Sequence, residues 1–332
     1  MKLGWQPLTL ELERPFTIAH GQSNTRTNVL TQLDEGIGEA AGVPYLGETE
    51  AGIVAYLAQV DLRDLDDPAQ IDEVLARLPA GSAAARAACD MALHDLWGKR
   101  LGQPLHRLLG LNPARIQPTS FTIAMAAPDA MAEQARRLAL PILKIKLGDE
   151  QDEARVLALR QACASRLRVD ANAGWSREKA ARLLPRLAEL GVELVEQPLP
   201  AGDVEGLAAL ARMRPRPAIF ADESIKTSAD VIAHASVVDG VVIKLAKCGG
   251  IREAMRQMCV AHALGLEVML GCMIESSLAV TAAAQLAPLA EHIDLDGPLL
   301  IKSDPFVGIS YEGARIALPL GPGLGVTAVT AR

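Results

Sequence analysis

Cysteine in paired or metal-binding spacing is missing from this chain. Its five cysteines, Cys89, Cys163, Cys248, Cys259 and Cys272, are odd in number, scattered and never arranged as CxxC. That pattern excludes a disulfide framework or a zinc site and points to a reducing compartment. A basic surplus is missing too: 33 Lys+Arg stand against 40 Asp+Glu, a net charge of −7. Nucleic acid is therefore not an expected partner, since phosphate binding needs a basic surface. Every long apolar run is broken by charge or proline before it could span a bilayer, so no membrane association is expected. The opening MKLGWQPLTLELERP has no apolar stretch after its lysine and does not read as a signal peptide. With no low-complexity segment or charged tail, the expectation is a cytoplasmic globular protein.

What is present is an ordinary globular composition of 332 residues, 50% hydrophobic and 22% charged, enough for one large α/β domain with or without a smaller one. From about residue 115 strand and helix patterns alternate. The strand candidates are IQPTSFTIAM, ILKIKLG, RLRVDANA, VELVEQPLP, PAIFADES, GVVIKLAK, EVMLGCMI and HIDLDGP. Helical patterns between them carry N-cap candidates at Ser176 and Thr227 and terminal glycines at Gly191 and Gly265. Such alternation implies a parallel sheet with right-handed crossovers, and eight units close into a barrel. The first hundred-odd residues differ. LTLELERPF and NVLTQLDEGIGEA read as antiparallel strands turned at Asp34-Glu35-Gly36, followed by helical patterns.

The stretch PILKIKLGDE sets Lys144 and Lys146 two apart in an apolar strand, so both ammonium groups face one side. The other strands repeat the oddity, each ending in a polar residue: Asp170, Glu196, Asp222, Lys244, then Asp294 and Asp296. From Lys146 to Lys244 the successive separations are 24, 26, 26 and 22 residues, the size of one βα unit. In a barrel the C-terminal strand ends converge on one mouth. Charges buried there have no stabilising purpose unless they pair or bind a metal. Asp170, Glu196 and Asp222 are three hard oxygen donors on neighbouring strands, a set that suits Mg²⁺. Lysines on either side of such a metal suit proton transfer at a carbon next to a carboxylate, with the resulting enediolate stabilised by the ion. Lys144, an ammonium two residues away, is expected to lower the pKa of Lys146. Taken singly, a KxK is a solvated strand face, an Asp after a strand a helix cap and Glu196 a rim salt bridge. Five in phase on consecutive strands do not fit those readings together.

KIK (144–146), VDANAGW (169–175), EQPLP (196–200), ADES (221–224) and IKLAKCGGI (243–251) together resemble the muconate-lactonizing subgroup of the enolase superfamily. GIGEA, YLGETE, ARAACDMALHDLWGKRLGQPL and GPGLGV extend the likeness over nearly the whole chain. Enolase-superfamily sites combine a lysine or histidine base with Mg²⁺. The resemblance implies an α/β fold: a (β/α)7β-type TIM barrel over 114–304, with an α+β capping domain from 1–113 joined by the tail 305–332. It implies one Mg²⁺ per subunit on Asp170, Glu196 and Asp222, Lys146 and Lys244 as acid/bases on opposite faces of the α-carbon, and Lys144 as supporting cation.

DLDGP (294–298) is similar to the element that dipeptide epimerases of this superfamily carry on the eighth strand. There Asp294 and Asp296 would receive the free ammonium of a dipeptide; as a bare motif it is also an ordinary turn. The activity implied is epimerisation of the C-terminal residue of an L,L-dipeptide, with L-Ala-L/D-Glu and murein-peptide recycling as the model case. Selectivity is expected from the loop IAHGQSNTRTN, with Arg26 a candidate partner for an acidic side chain and equally a solvent-facing strand residue. The register also leaves an arginine position near His20 open, and Gln22 and Asn24 are candidates or plain loop residues. Glu275, with Ser276, is a further candidate after strand seven. His94, His234, His262, His292 and Trp97 read as structural, and Lys247-Cys248 as shaping a turn. The rival readings are an N-acylamino acid racemase/o-succinylbenzoate synthase or a cycloisomerase, whose substrates lack a free ammonium, and a non-catalytic barrel used as scaffold or sensor. Self-association into a homo-oligomer stays open.

Overall fold

The structure, a computed structural model, describes residues 1–18 and 21–329. Strands β1 (Leu3–Ile18), β2 (Gly21–Leu33) and β3 (Gly36–Ala40) form an antiparallel sheet in that order. Helices α1 (Glu50–Leu57), α2 (Ile71–Ala76), α3 (Ala83–Leu101) and the short α4 (Leu105–Leu108) follow. Ser82 caps α3 by accepting the Ala85 N–H, and Gly102 ends it in the left-handed conformation. β3 lies so close to α3 that a Cβ on Gly36 or Gly38 would stand 2.1 Å from the Ala92 or Ala88 carbonyl oxygen. Glycine alone fits, which accounts for the GIGEA stretch.

Eight parallel strands come next, hydrogen-bonded in chain order: β4 (Phe121–Ile123), β5 (Ile142–Lys146), β6 (Arg166–Asp170), β7 (Val192–Glu196), β8 (Ala218–Ala221), β9 (Gly240–Ile243), β10 (Glu267–Gly271) and β11 (His292–Asp294). The crossovers carry α5 (Pro128–Leu138), α6 (Asp152–Ala162), α7 (Arg177–Glu189), α8 (Val204–Ala211), α9 (Ser228–His234), the pair α10 (Leu245–Cys248) and α11 (Ile251–Ala263), and α12 (Ser277–Ala284). The ring closes where Thr119 bridges Ile293 and the Ser120 N–H donates to the Ile293 carbonyl at 3.0 Å. This is the (β/α)7β barrel expected. Ser176 and Thr227 do cap α7 and α9, and Gly191 and Gly265 follow α7 and α11 at positive φ.

Alternation along each strand sorts the side chains. Leu143, Ile145, Val169, Val195, Ile219, Val241, Ile243 and Leu270 join the core beneath the helices. The alternate positions face the barrel axis. Its floor is Leu194, Phe220, Val242 and Met269. Beside them Arg168 donates to Glu193 at 2.9 Å and to the Ile293 carbonyl at 3.2 Å. One pleat nearer the C-terminal ends come Lys146, Asp170, Glu196, Asp222, Lys244 and Asp294. Lys146 pairs with Asp170, and Asp170 with Glu196, across the strands.

The two parts of the chain are bolted together. Asp90 of α3 accepts the Ile251 and Arg252 N–H groups that open α11. The tail returns so that the Gly323 carbonyl accepts the Leu105 N–H and Asp95 accepts the Leu324 N–H, each at 2.8 Å. Among the described residues no helix is long and apolar enough to cross a membrane.

Candidate active site

Because β5 alternates strictly, Lys144 and Lys146 both reach into the barrel mouth. Lys146 Nζ lies 2.6 Å from Asp170. Lys144 Nζ bridges Asp170 at 3.0 Å, Glu196 at 2.7 Å and Asp294 at 2.7 Å. From the end of β9, Lys244 Nζ lies 2.7 Å from Asp222 and 3.8 Å from Glu196. The acids thus run Asp170, Glu196, Asp222 on adjacent strands, with Lys146 at one end of the row and Lys244 at the other. All are buried.

Burial penalises Asp170 and Asp222 as anions, but Lys146 and Lys144 around the first, and Lys244 and Lys247 around the second, hold both carboxyls below the usual range. Glu196 goes the other way. Burial and the neighbouring Asp170 push its pKa up, and the lysines do not offset them. Both its oxygens are buried without a hydrogen-bond partner, so the approach of Lys144 is a charge contact rather than a directed bond. Burial alone would depress the two lysines, yet Asp294 and Glu196 raise Lys144, and Asp222 and Glu196 raise Lys244. Lys244 is thus an acid-paired ammonium. The charge of Lys144 is directed at three carboxylates rather than at Lys146.

The donor set fits a hard divalent cation: three carboxylates from consecutive strands, the middle one with both oxygens unsatisfied. Among the described residues no three Asp, Glu, His or Cys side chains stand in ready coordinating geometry. The ammonium groups lie between the acids instead, and Lys144 alone contacts two of the three.

Asp294 and Asp296 line the same cavity, which also takes in Arg26, Tyr45, Asn172 and Lys244. Asp294 is already engaged, accepting Ser120 Oγ at 2.6 Å and Lys144. Asp296 accepts the Thr122 N–H at 2.6 Å; burial and the charge of Asp294 raise its pKa to about 6. Arg26 sits opposite Leu10 on the inward face of the first sheet, and among the described residues no carboxylate is within ion-pair reach of it. Arg26 is half-buried, lining the cavity while donating to the Thr25 carbonyl at 3.2 Å.

Three candidates are not brought in. Asn24 is exposed, because the register of β1 against β2 breaks between Glu11 and Phe16 and leaves it without a paired partner. Gln22 is exposed and lines an adjoining hollow, not the cavity. Glu275 folds back to accept the Met273 N–H at 2.9 Å, and burial with the nearby Glu39 lifts its pKa to about 8. Ser276 is likewise drawn away: it caps α12 and donates to Glu39. His20 lies outside the described residues.

Sequence reasoning missed Lys247, which is buried and donates to both the carbonyl and the carboxylate of Asp222. No spacing signal marks it, because Lys244 is the extended N-cap of α10 and not a position on its helical face. Asn172, at φ 43, gives its N–H to Asp170 at 2.9 Å and lines the cavity. The four histidines read as structural do stand in structural bonds, as His94 does to the Asp90 carbonyl at 2.8 Å.

A sequence model of the mandelate racemase / muconate lactonizing enzyme N-terminal domain matches residues 7–110, and one described as enolase C-terminal domain-like matches residues 129–331. The chain is 39% identical to an L-Ala-D/L-Glu epimerase of Bacteroides thetaiotaomicron, covering 98% of this chain and 88% of that one. Its fold is similar to a substrate-liganded L-Ala-D/L-Glu epimerase from Bacillus subtilis, with TM-score 0.93, 32% identity and coverage of 100% and 99%. It is also similar to a dipeptide epimerase from Enterococcus faecalis complexed with Mg and L-Leu-L-Tyr, with TM-score 0.89, 33% identity and 98% of each chain covered.

Proposed function

We propose a reaction for this chain, which belongs to the mandelate racemase / muconate lactonizing enzyme family of the enolase superfamily. It is a Mg²⁺-dependent dipeptide epimerase, inverting the α-carbon of the C-terminal residue of an L,L-dipeptide to give the L,D isomer. The observation that carries the reading is the row of three buried acids with a buried lysine at each end. Asp170, Glu196 and Asp222 hold the ion. Bound there, Mg²⁺ supplies Lewis-acid stabilisation of the negative charge that builds on the substrate carboxylate. Lys146 removes the α-proton from one face and Lys244 delivers a proton to the other, with the roles reversed for the L,D isomer; inversion requires two groups because a single base returns the proton to the face it left. Lys144 steadies the carboxylate charge, Asp296 with Asp294 receives the substrate ammonium, and Arg26 pairs with an acidic side chain on the second residue.

Residues 1–113 with 305–332 act as the capping unit over the barrel 114–304, a cytoplasmic location is in keeping with five unpaired cysteines, and murein-peptide recycling is the role we assign. The test is a dipeptide library incubated with enzyme and Mg²⁺ in D₂O. Dipeptides with a free ammonium should gain one mass unit at the α-carbon and lose optical purity there. Labelling confined to N-acylated amino acids would replace this reading with the racemase.

A further inference from the structure

The cavity between the lysines encloses about 60 Å³, room for a few water molecules. A hollow of about 650 Å³ adjoins the cavity, and the two share Phe16, Thr122 and Leu300. Thr122 is the doorway. Its N–H bonds Asp296, the carboxylate assigned above to the substrate ammonium. The first residue's α-carbon is one bond from that ammonium, so its side chain leaves the cavity beside Thr122. Arg26 and Tyr45 line the cavity and not the hollow, which keeps the second residue's side chain on their side.

The walls of the hollow are largely apolar, from Phe121, Met125, Leu138 and Leu299. Leu299 is 38% exposed, an apolar side chain presented to solvent. The hollow's charged residues are mixed, Glu13 beside Arg14 and Arg137 3.9 Å from Glu133. Resting on the epimerase reading, we infer that this hollow binds the side chain of the dipeptide's first residue, and that the chain favours first residues that are apolar and larger than alanine. The methyl of alanine reaches only the doorway and leaves the hollow wet. A leucine, methionine or phenylalanine side chain displaces that water from Met125 and Leu299. A lysine in the same place must keep its ammonium hydrated and so gains less from the apolar walls than leucine does.

The test is kcat/KM for Leu-Glu, Phe-Glu, Ala-Glu and Lys-Glu, all L,L, with the wild type and with Leu299→Asp and Met125→Asp. The leucine and phenylalanine substrates should exceed alanine by about tenfold or more, the lower end of what a few methylenes contribute in an apolar site. The lysine substrate should fall below leucine. Either variant should bring the leucine-to-alanine ratio toward one. Turnover in which alanine equals or beats leucine, or a ratio unchanged in both variants, overturns the hollow's role alone. Absence of turnover on every dipeptide overturns the epimerase reading and the hollow's role with it.

Discussion

The floor and the mouth of this barrel are built by the same strands, on the same inward-facing positions, two residues apart. At the floor Leu194, Phe220, Val242 and Met269 fill the axis, and Phe220 meets His292 edge-on at 5.3 Å. At the mouth the next inward positions are Glu196, Asp222, Lys244 and Gly271. The floor is satisfied by packing, as a close-packed interior should be. The mouth is held by charge against charge with a few neutral donors, such as the Asn172 N–H on Asp170, and it leaves both oxygens of Glu196 without a bond. One pleat therefore separates the part that stabilises the fold from the part that handles substrate.

That contrast can be broken first at the mouth. Glu196→Gln should abolish turnover and weaken Mg²⁺ binding, read calorimetrically, by more than about 100-fold, since even outer-shell partners of a metal cost 10–100-fold. The metal-free variant should melt no lower than wild type, because an acid forced up by its neighbours contributes nothing to stability. At the floor Phe220→Ala should do the opposite. It should lose about 3–5 kcal/mol in denaturant unfolding while the folded fraction still binds Mg²⁺ with unchanged affinity.

A smaller effect sharpens the comparison between the two ends of the substrate. Asp296→Asn should raise KM for dipeptides well above any change for N-acylated analogues. Asp296 has its pKa raised to about 6, so it is neutral below that pH and anionic above it. KM for a dipeptide should therefore rise as pH falls through 6, and the rise should flatten in Asp296→Asn. A rise of equal size in the variant would assign the effect to another group.

Much of this was legible because charge at every second strand position is costly unless it serves something. Lys144, Lys146, Asp170, Glu196, Asp222 and Lys244 all announce themselves that way, and each stands at the mouth where the alternation puts it. The loop residues were not legible for a matching reason. Where β1 slips against β2 between Glu11 and Phe16, alternation no longer says which way a side chain faces, and Asn24 was lost there. Glu275 was misjudged because its position after β10 is right but its carboxyl turns back to the Met273 N–H. Lys247 reads as a turn residue because its role at Asp222 shows only when the short α10 is folded beside β8.

The central claim is that Lys146 and Lys244 act on opposite faces of one carbon. It is tested most directly by α-proton exchange in D₂O, followed separately on the L,L and L,D dipeptides for Lys146→Ala and Lys244→Ala. Neither variant should epimerise, and each that still exchanges should do so with one isomer only, a different isomer for each lysine. Exchange of the same isomer by both variants, or epimerisation surviving in both, would contradict the account.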